Sequence, residues 1–182
     1  MNLKALHLPR ARFGLGIHST TGVLEIAIAQ VLPNSSPDSD SPSNSFSSNK
    51  ISSNYAHRTW DLGREISSQI HTCLLDFLRE FETNQELKFC WNDIVWLAVA
   101  RGIGSFTSTR VSMVMVRAIA QQLDLPVYAL DCEAISTFAQ TQNMPLGVSL
   151  LQLAQLQSLS GNFPHWSEAL PSYGGDFGNG NI

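Results

Sequence analysis

The sequence predicts an α/β domain in which a mixed sheet is flanked by helices, and three observations carry that prediction. Two apolar runs, FGLGIHS and VLEIAIAQV, stand either side of Thr20-Thr21-Gly22, the pattern of a β-hairpin. Two further runs, IVWLAVA (Ile94–Ala100) and LPVYAL (Leu125–Leu130), are continuously apolar, as strands buried on both faces are. Segments with apolar residues at helical spacing separate and follow them, so the later strands should be parallel and joined by helical crossovers.

Taken in order, residues 1–12 are an extension with no apolar core long enough for a signal peptide. The domain runs from 13 to 138. In the hairpin's second strand only Glu25 interrupts the apolar run. Residues 33–54 are an insertion in which ten of twenty-two residues are serine, a composition too poor in apolar side chains to offset the entropy of ordering it. A short edge strand around Ile51–Ala56 closes it. Leu62, Ile66, Ile70, Leu74, Phe77, Leu78 and Phe81 then recur at helical spacing, with Thr59 as the expected cap and Asp61 suited to the positive end of the helix dipole. A further helix begins in EAISTFAQ, a shortened helical segment occupies 139–171, and residues 172–182 form a glycine-rich tail.

Composition narrows the function. The net charge is −4 and no Lys/Arg-rich run is present, which argues against a self-sufficient nucleic-acid surface. Cys73, Cys90 and Cys132 are isolated and odd in number, so neither a disulfide framework nor a zinc site is expected, and a reducing cytoplasm fits best. No two of the five histidines are four apart, which leaves no helical metal clamp. His71, on the long helix, suits packing; His18, ending the first strand, suits turn capping or a ligand. Asp61 and Glu65 share one helix, with no carboxylate placed opposite them for acid–base work.

The strand-to-helix loop GIGSFTSTR holds Gly102, Gly104, Ser105, Phe106, Thr107 and Arg110. It lacks the lysine of a Walker loop, does not extend to GxGxxG, and has Thr107 where a nucleophile elbow needs glycine. A tight turn with Ser105 or Thr107 capping the next helix is the simplest account; backbone N–H groups meeting an anion is the alternative. In the helix that follows, only Ser112 and Arg117 are polar between Val111 and Ala120. One face carries Val111, Val114, Met115 and Ala118, another Met113, Val116 and Ala120. A helix apolar nearly all round must be covered on both sides. The preceding helix also carries bulk off its main stripe, with Trp60 and Leu75. The expected partner-binding surface is Trp60, Ile66, Ile70, Leu74, Val111, Val114, Met115 and Ala118, the alternative being that the two helices bury each other completely.

These stretches resemble the TsaB (YeaZ) family. LGIHSTTGVLEIAIA is similar to the family's opening Leu-Ala-Ile-Asp-Thr-Ser, and GIGSFTSTRVSMVMVRAIAQQLDLPVYAL to its Gly-Pro-Gly-Ser-Phe-Thr-Gly-Leu-Arg loop and small-residue helix. The resemblance covers roughly residues 14 to 136 without the insertion, and Glu65 matches the glutamate of the family's first long helix. It implies a ribonuclease H-like fold related to the actin and Hsp70 ATPases. It also implies a non-catalytic, cofactor-free accessory subunit that pairs with the transferase TsaD, is joined by TsaE, homodimerises when alone, and reaches tRNA only through the complex that makes threonylcarbamoyladenosine. Ile103 and Ser108 replace the family's proline and glycine. His18 stands at an aspartate that handles phosphate-bound metal in related ATPases, which counts against independent ATP hydrolysis. After Phe138 the chain passes through NMPLGVS almost directly to LLQLAQLQSLSGNF, similar to the family's closing helix, so the second lobe is largely missing. The rival expectations are a nucleotide-binding or metallopeptidase-like enzyme and a self-associating scaffold.

Overall fold

The computed structural model describes residues 11–20, 22–31, 55–102 and 106–172. The serine-rich insertion, the glycine-rich tail and loop residues Ile103, Gly104 and Ser105 lie outside these. Five strands form one sheet: β1 (Phe13–His18), β2 (Val23–Gln30), β3 (Tyr55–Asp61), β4 (Ile94–Arg101) and β5 (Val127–Asp131). Their order is β3-β2-β1-β4-β5. The first three run antiparallel, and β4 and β5 lie parallel to β1. Helices α1 (Ile66–Asn84) and α2 (Phe106–Leu123) pack on one face; α3 (Cys132–Gln142) and α4 (Leu146–Leu159) pack on the other.

The period-2 alternation of each strand decides which residues meet which helices. Leu15, Ile17, Leu24, Ile26, Ile28, Leu97 and Val99 join the core under α1 and α2. The opposite face is lined by Gly14, Gly16, Ala27, Ala29, Ala98 and Ala100, so α4 can lie close on it. A Cβ on Gly16 would already sit at 3.5 Å from Leu151, and one on Gly14 would fall inside the ring of Trp96. Trp96 in turn stacks edge-on against Tyr128, with ring centroids 5.7 Å apart.

Local chemistry ends the elements where the sequence allows it. Asp124 after α2 and Asn143 after α3 take the left-handed conformation that stops a helix, each the kind of short polar residue that tolerates it. Gly22, at φ +86°, turns the hairpin and accepts hydrogen bonds from the backbone N–H groups of Leu62 and Gly63, tying the hairpin to the end of β3.

One boundary differs from the sequence expectation. The strand expected at Ile51–Ala56 is β3, at Tyr55–Asp61, and the helix expected from Thr59 starts at Ile66 after a 3-10 turn over Gly63–Glu65. Thr59, Trp60 and Asp61 are therefore strand residues, and Thr59 caps nothing. Trp60 pairs across the sheet with Leu24 and sets its ring edge-on against Phe77 of α1. Helical spacing ran on into a segment of Thr, Trp and alternating burial, whose β-branched and aromatic content suits a pleated edge.

Candidate functional site

Helices α1 and α2 lie side by side on the sheet, and a groove of about 540 Å³ opens between them. Its α1 wall is His71, Leu74 and Leu75; its α2 wall is Val111, Val114, Met115 and Ala118; Trp91 and Arg110 also line it. Val114 is 67% exposed and Leu75 43%, large apolar side chains held in water on adjacent helices. Contiguous apolar surface of this kind marks an interaction site more often than an isolated exposed leucine does.

The expected partner surface splits in two. Val111, Val114 and Ala118 reach the surface, while Leu74 and Met115 are nearly buried and form the groove's floor. Ile66 and Ile70 are fully buried beneath α1 and offer a partner nothing; they belong to the core. Trp60 lies on β3 with the Arg58 guanidinium 5.0 Å over its ring, outside the groove. Leu75, noted as bulk off the main stripe but not included in the expected surface, and His71, expected to pack partly buried, are both exposed and both line the groove. A stripe defined by helical period names the residues facing the sheet; the partner-facing residues flank it.

The loop supplies the approach to α2. Gly102, at φ +128°, lets β4 turn away at a conformation closed to side chains, and its Cα faces the start of α3 at Cys132. The helix already includes Phe106, so Thr107 is an exposed first-turn residue and not its cap. Behind it Ser108, Thr109 and Ser112 are buried, and the Ser19 hydroxyl, just past β1, lies 2.9 Å from Ser112 Oγ and 3.2 Å from the Ser108 carbonyl. These contacts fix the N-terminal half of α2 against the end of β1.

A second polar cluster, which the sequence did not announce, sits under α4. The register puts His18 opposite Glu25, and Glu25 opposite Thr59 with His57 one pleat away on the same face. Glu25 Oε2 accepts from the backbone N–H of Gly147, at 2.8 Å, and lies 3.1 Å from His57 Nε2. Burial alone would push the Glu25 carboxyl up; the hydrogen bonds from His57 and Gly147 and the charges of His18 and His57 outweigh it and hold it below its ordinary value. His18 is 1% exposed, and burial lowers its pKa despite the pull of Glu25. Its Nε2 is 3.2 Å from Thr20 Oγ1, while Nδ1 is buried without a hydrogen bond among the described residues. Burial raises the Cys132 thiol, partly offset by a hydrogen bond with Thr20. Glu65 lies exposed at the end of the 3-10 turn. The signal for Glu25 was in plain view: a lone carboxylate inside an apolar strand must find partners or not be charged.

Among the described residues, no three His, Cys, Asp or Glu side chains gather as a metal-ligand set, and no helix is long and apolar enough to cross a membrane. No family model and no curated protein matches the sequence. Solved structures do. A second-ranking likeness is to an uncharacterised protein with similarity to the peptidase YeaZ from Pseudomonas aeruginosa, 18% identical over 71% of this chain and 47% of that one, with a TM-score of 0.49. The stronger is to YeaZ from Pseudomonas aeruginosa, 14% identical, covering 89% of this chain and 99% of that one with a TM-score of 0.64. The fold is therefore that of YeaZ, here a mixed five-stranded sheet between two helical layers.

Proposed function

We propose that this chain is a TsaB-type accessory subunit, non-catalytic in itself, that pairs with the TsaD transferase through α1 and α2 and so supports threonylcarbamoyladenosine formation beside the tRNA anticodon. TsaE joins the pair, and the complex works in the cytoplasm. The observation that carries the reading is the apolar groove between α1 and α2, with Val114 and Leu75 held in water. The YeaZ-like fold and the GSFT-containing loop followed by an over-apolar helix support it.

The test is the mass of the purified chain by light scattering, alone and mixed with TsaD. A one-to-one complex is expected, and Leu75→Asp with Val114→Asp should abolish it while circular dichroism stays unchanged, since both side chains are already solvated. A wild-type chain whose mass never changes with TsaD would end this reading.

A further inference from the structure

At the β5 end of the sheet, main-chain groups face outward with nothing paired to them. β5 pairs only with β4. The Leu97 N–H donates to the Pro126 carbonyl at 3.0 Å, so in this parallel pairing Pro126, Tyr128 and Leu130 turn their main-chain groups to β4. Val127, Ala129 and Asp131 turn theirs outward, and the Val127 N–H accordingly donates to the Pro164 carbonyl at 3.1 Å. The pairing stops there. Among the described residues, neither the N–H nor the carbonyl of Ala129 has a partner. A groove of about 370 Å³ runs along this edge. All five β5 residues line it, and successive strand residues point to opposite faces, so it follows the strand's margin and not one face. The border is acidic. Glu168 lines the groove, and Glu133 lines an adjoining hollow that shares Asp131 and Ala134 with it. Both are exposed and neither forms an ion pair among the described residues. Arg101, which also lines the groove, is already held by Asp131 at 3.0 Å. Phe163 and Leu170, each next in sequence to a lining residue, keep apolar side chains in water.

We propose that this edge takes up a short extended segment of another protein, which adds as a further strand by pairing with the main chain of Ala129 and carries lysine or arginine side chains that answer Glu133 and Glu168. In strand addition the main-chain hydrogen bonds supply affinity and the flanking side chains supply the choice of partner. β5 is short and its first outward N–H is already taken, so the guest pairs only around Ala129 and the contact is weak and reversible. A second copy of this chain fits badly. Antiparallel pairing centred on Ala129 would set its Asp131 opposite Val127, where Pro164 already sits, and would add carboxylates to an acidic border. This chain's own residues 173–182 hold one aspartate and neither lysine nor arginine, so they bring no answering charge. The edge shares no lining residue with the groove between α1 and α2, so occupancy of one does not require the other.

The probes are two end-blocked peptides, Lys-Val-Lys-Val-Lys-Val and Glu-Val-Glu-Val-Glu-Val, titrated into the isotope-labelled full chain and followed by its amide NMR spectrum. The basic peptide should shift the Ala129 and Asp131 amides and slow hydrogen exchange at Ala129. It should bind about tenfold more tightly than the acidic one, a preference that high salt removes. Ala129→Pro deletes the outward N–H and leaves the ladder to β4 complete, as proline on an edge strand can; it should abolish binding while circular dichroism stays unchanged. Glu133→Lys with Glu168→Lys alters only exposed side chains and should reverse the preference between the peptides. If Ala129→Pro fails to fold, exchange at Ala129 in the wild-type chain and the charge reversal decide. Binding that leaves exchange at Ala129 unchanged, or that shifts only residues lining the groove between α1 and α2, would overturn the strand addition. Equal affinity for the two peptides, or a preference unmoved by the reversal, would overturn the acidic border. No binding by either peptide would remove both.

Discussion

Helices α2 and α4 are both apolar nearly all round, yet they meet opposite fates. In α4, the residues Gly147 to Gln152, with Ala154 and Gln155, are buried on successive sides of the helix. It lies on a sheet face where Gly14, Gly16, Ala27, Ala29, Ala98 and Ala100 accompany Trp96 and Tyr128, with α3 alongside. Even its polar Ser149, Gln152 and Gln155 are inside. In α2 the sheet and α1 cover Met113, Met115, Val116 and Ala120, while Val114 stays in water. Apolarity around a helix therefore states that cover is needed, not whether the chain itself provides it. The size of the sheet's side chains decides that: small residues let a helix sink in, and bulky ones hold a pair of helices up with a groove between them.

The sharpest way to break this comparison is a pair of identical substitutions on the two kinds of surface. Ile70→Asp places a carboxylate in the core beneath α1, losing a buried side chain and stranding a charge, and should cost about 4 kcal/mol or more. Val114→Asp should change stability by no more than about 0.5 kcal/mol, because its side chain is already exposed. Urea unfolding of the two variants measures both. Similar destabilisation would mean that α2 is covered on its outer side too.

A smaller effect is expected on the close-packed face. Gly14→Ala sets a methyl group 2.0 Å from Trp96 Cζ2, and Trp96 is buried with no room to withdraw. Such overpacking costs about 1–3 kcal/mol, and Trp96 fluorescence should shift as the ring is displaced. Glu25→Ala acts at the same face by removing the acceptor of the Gly147 N–H and the partner of His57. Leaving a buried donor unsatisfied costs about 1–3 kcal/mol, and hydrogen exchange at the start of α4 should rise more than at α2. Equal exchange along both helices would show that Glu25 does not anchor α4.

The same contrast explains what the residues disclosed. The strands IVWLAVA and LPVYAL and the hairpin around Gly22 were legible because two-faced burial leaves an unbroken apolar run and a tight turn needs its glycine. The groove was half legible. Period analysis found α2's excess apolar face but offered Ile66 and Ile70, which face the sheet, beside Val114, which does not. Only the packing of α1 against α2 shows that Leu75 and His71 complete the wall. The Glu25 cluster was hidden for another reason. His57 and Gly147 lie 32 and 122 residues away; the β2–β3 register brings the first to the carboxylate and the packing of α4 on the sheet brings the second.

That cluster predicts the gentlest effect, a two-stage loss of stability on acidification. His18 has a folded-state pKa below its ordinary 6.5, so the unfolded chain takes up a proton first as pH falls through 6.5. The unfolded state then binds more protons than the native one, and stability falls with pH. Glu25 has a folded-state pKa below its ordinary 4.5, so its contribution is complete above 4.5 and is lost as pH drops through the folded value. Both groups act in the same direction but in separate windows. His18→Asn should remove the upper limb and leave the lower; Glu25→Gln should remove the lower and, by withdrawing the charge that favours protonated His18, steepen the upper. Melting temperatures between pH 7 and pH 2.5 distinguish the limbs. A wild-type profile flat from pH 7 down to 5 would mean that His18 is not held neutral in the folded chain.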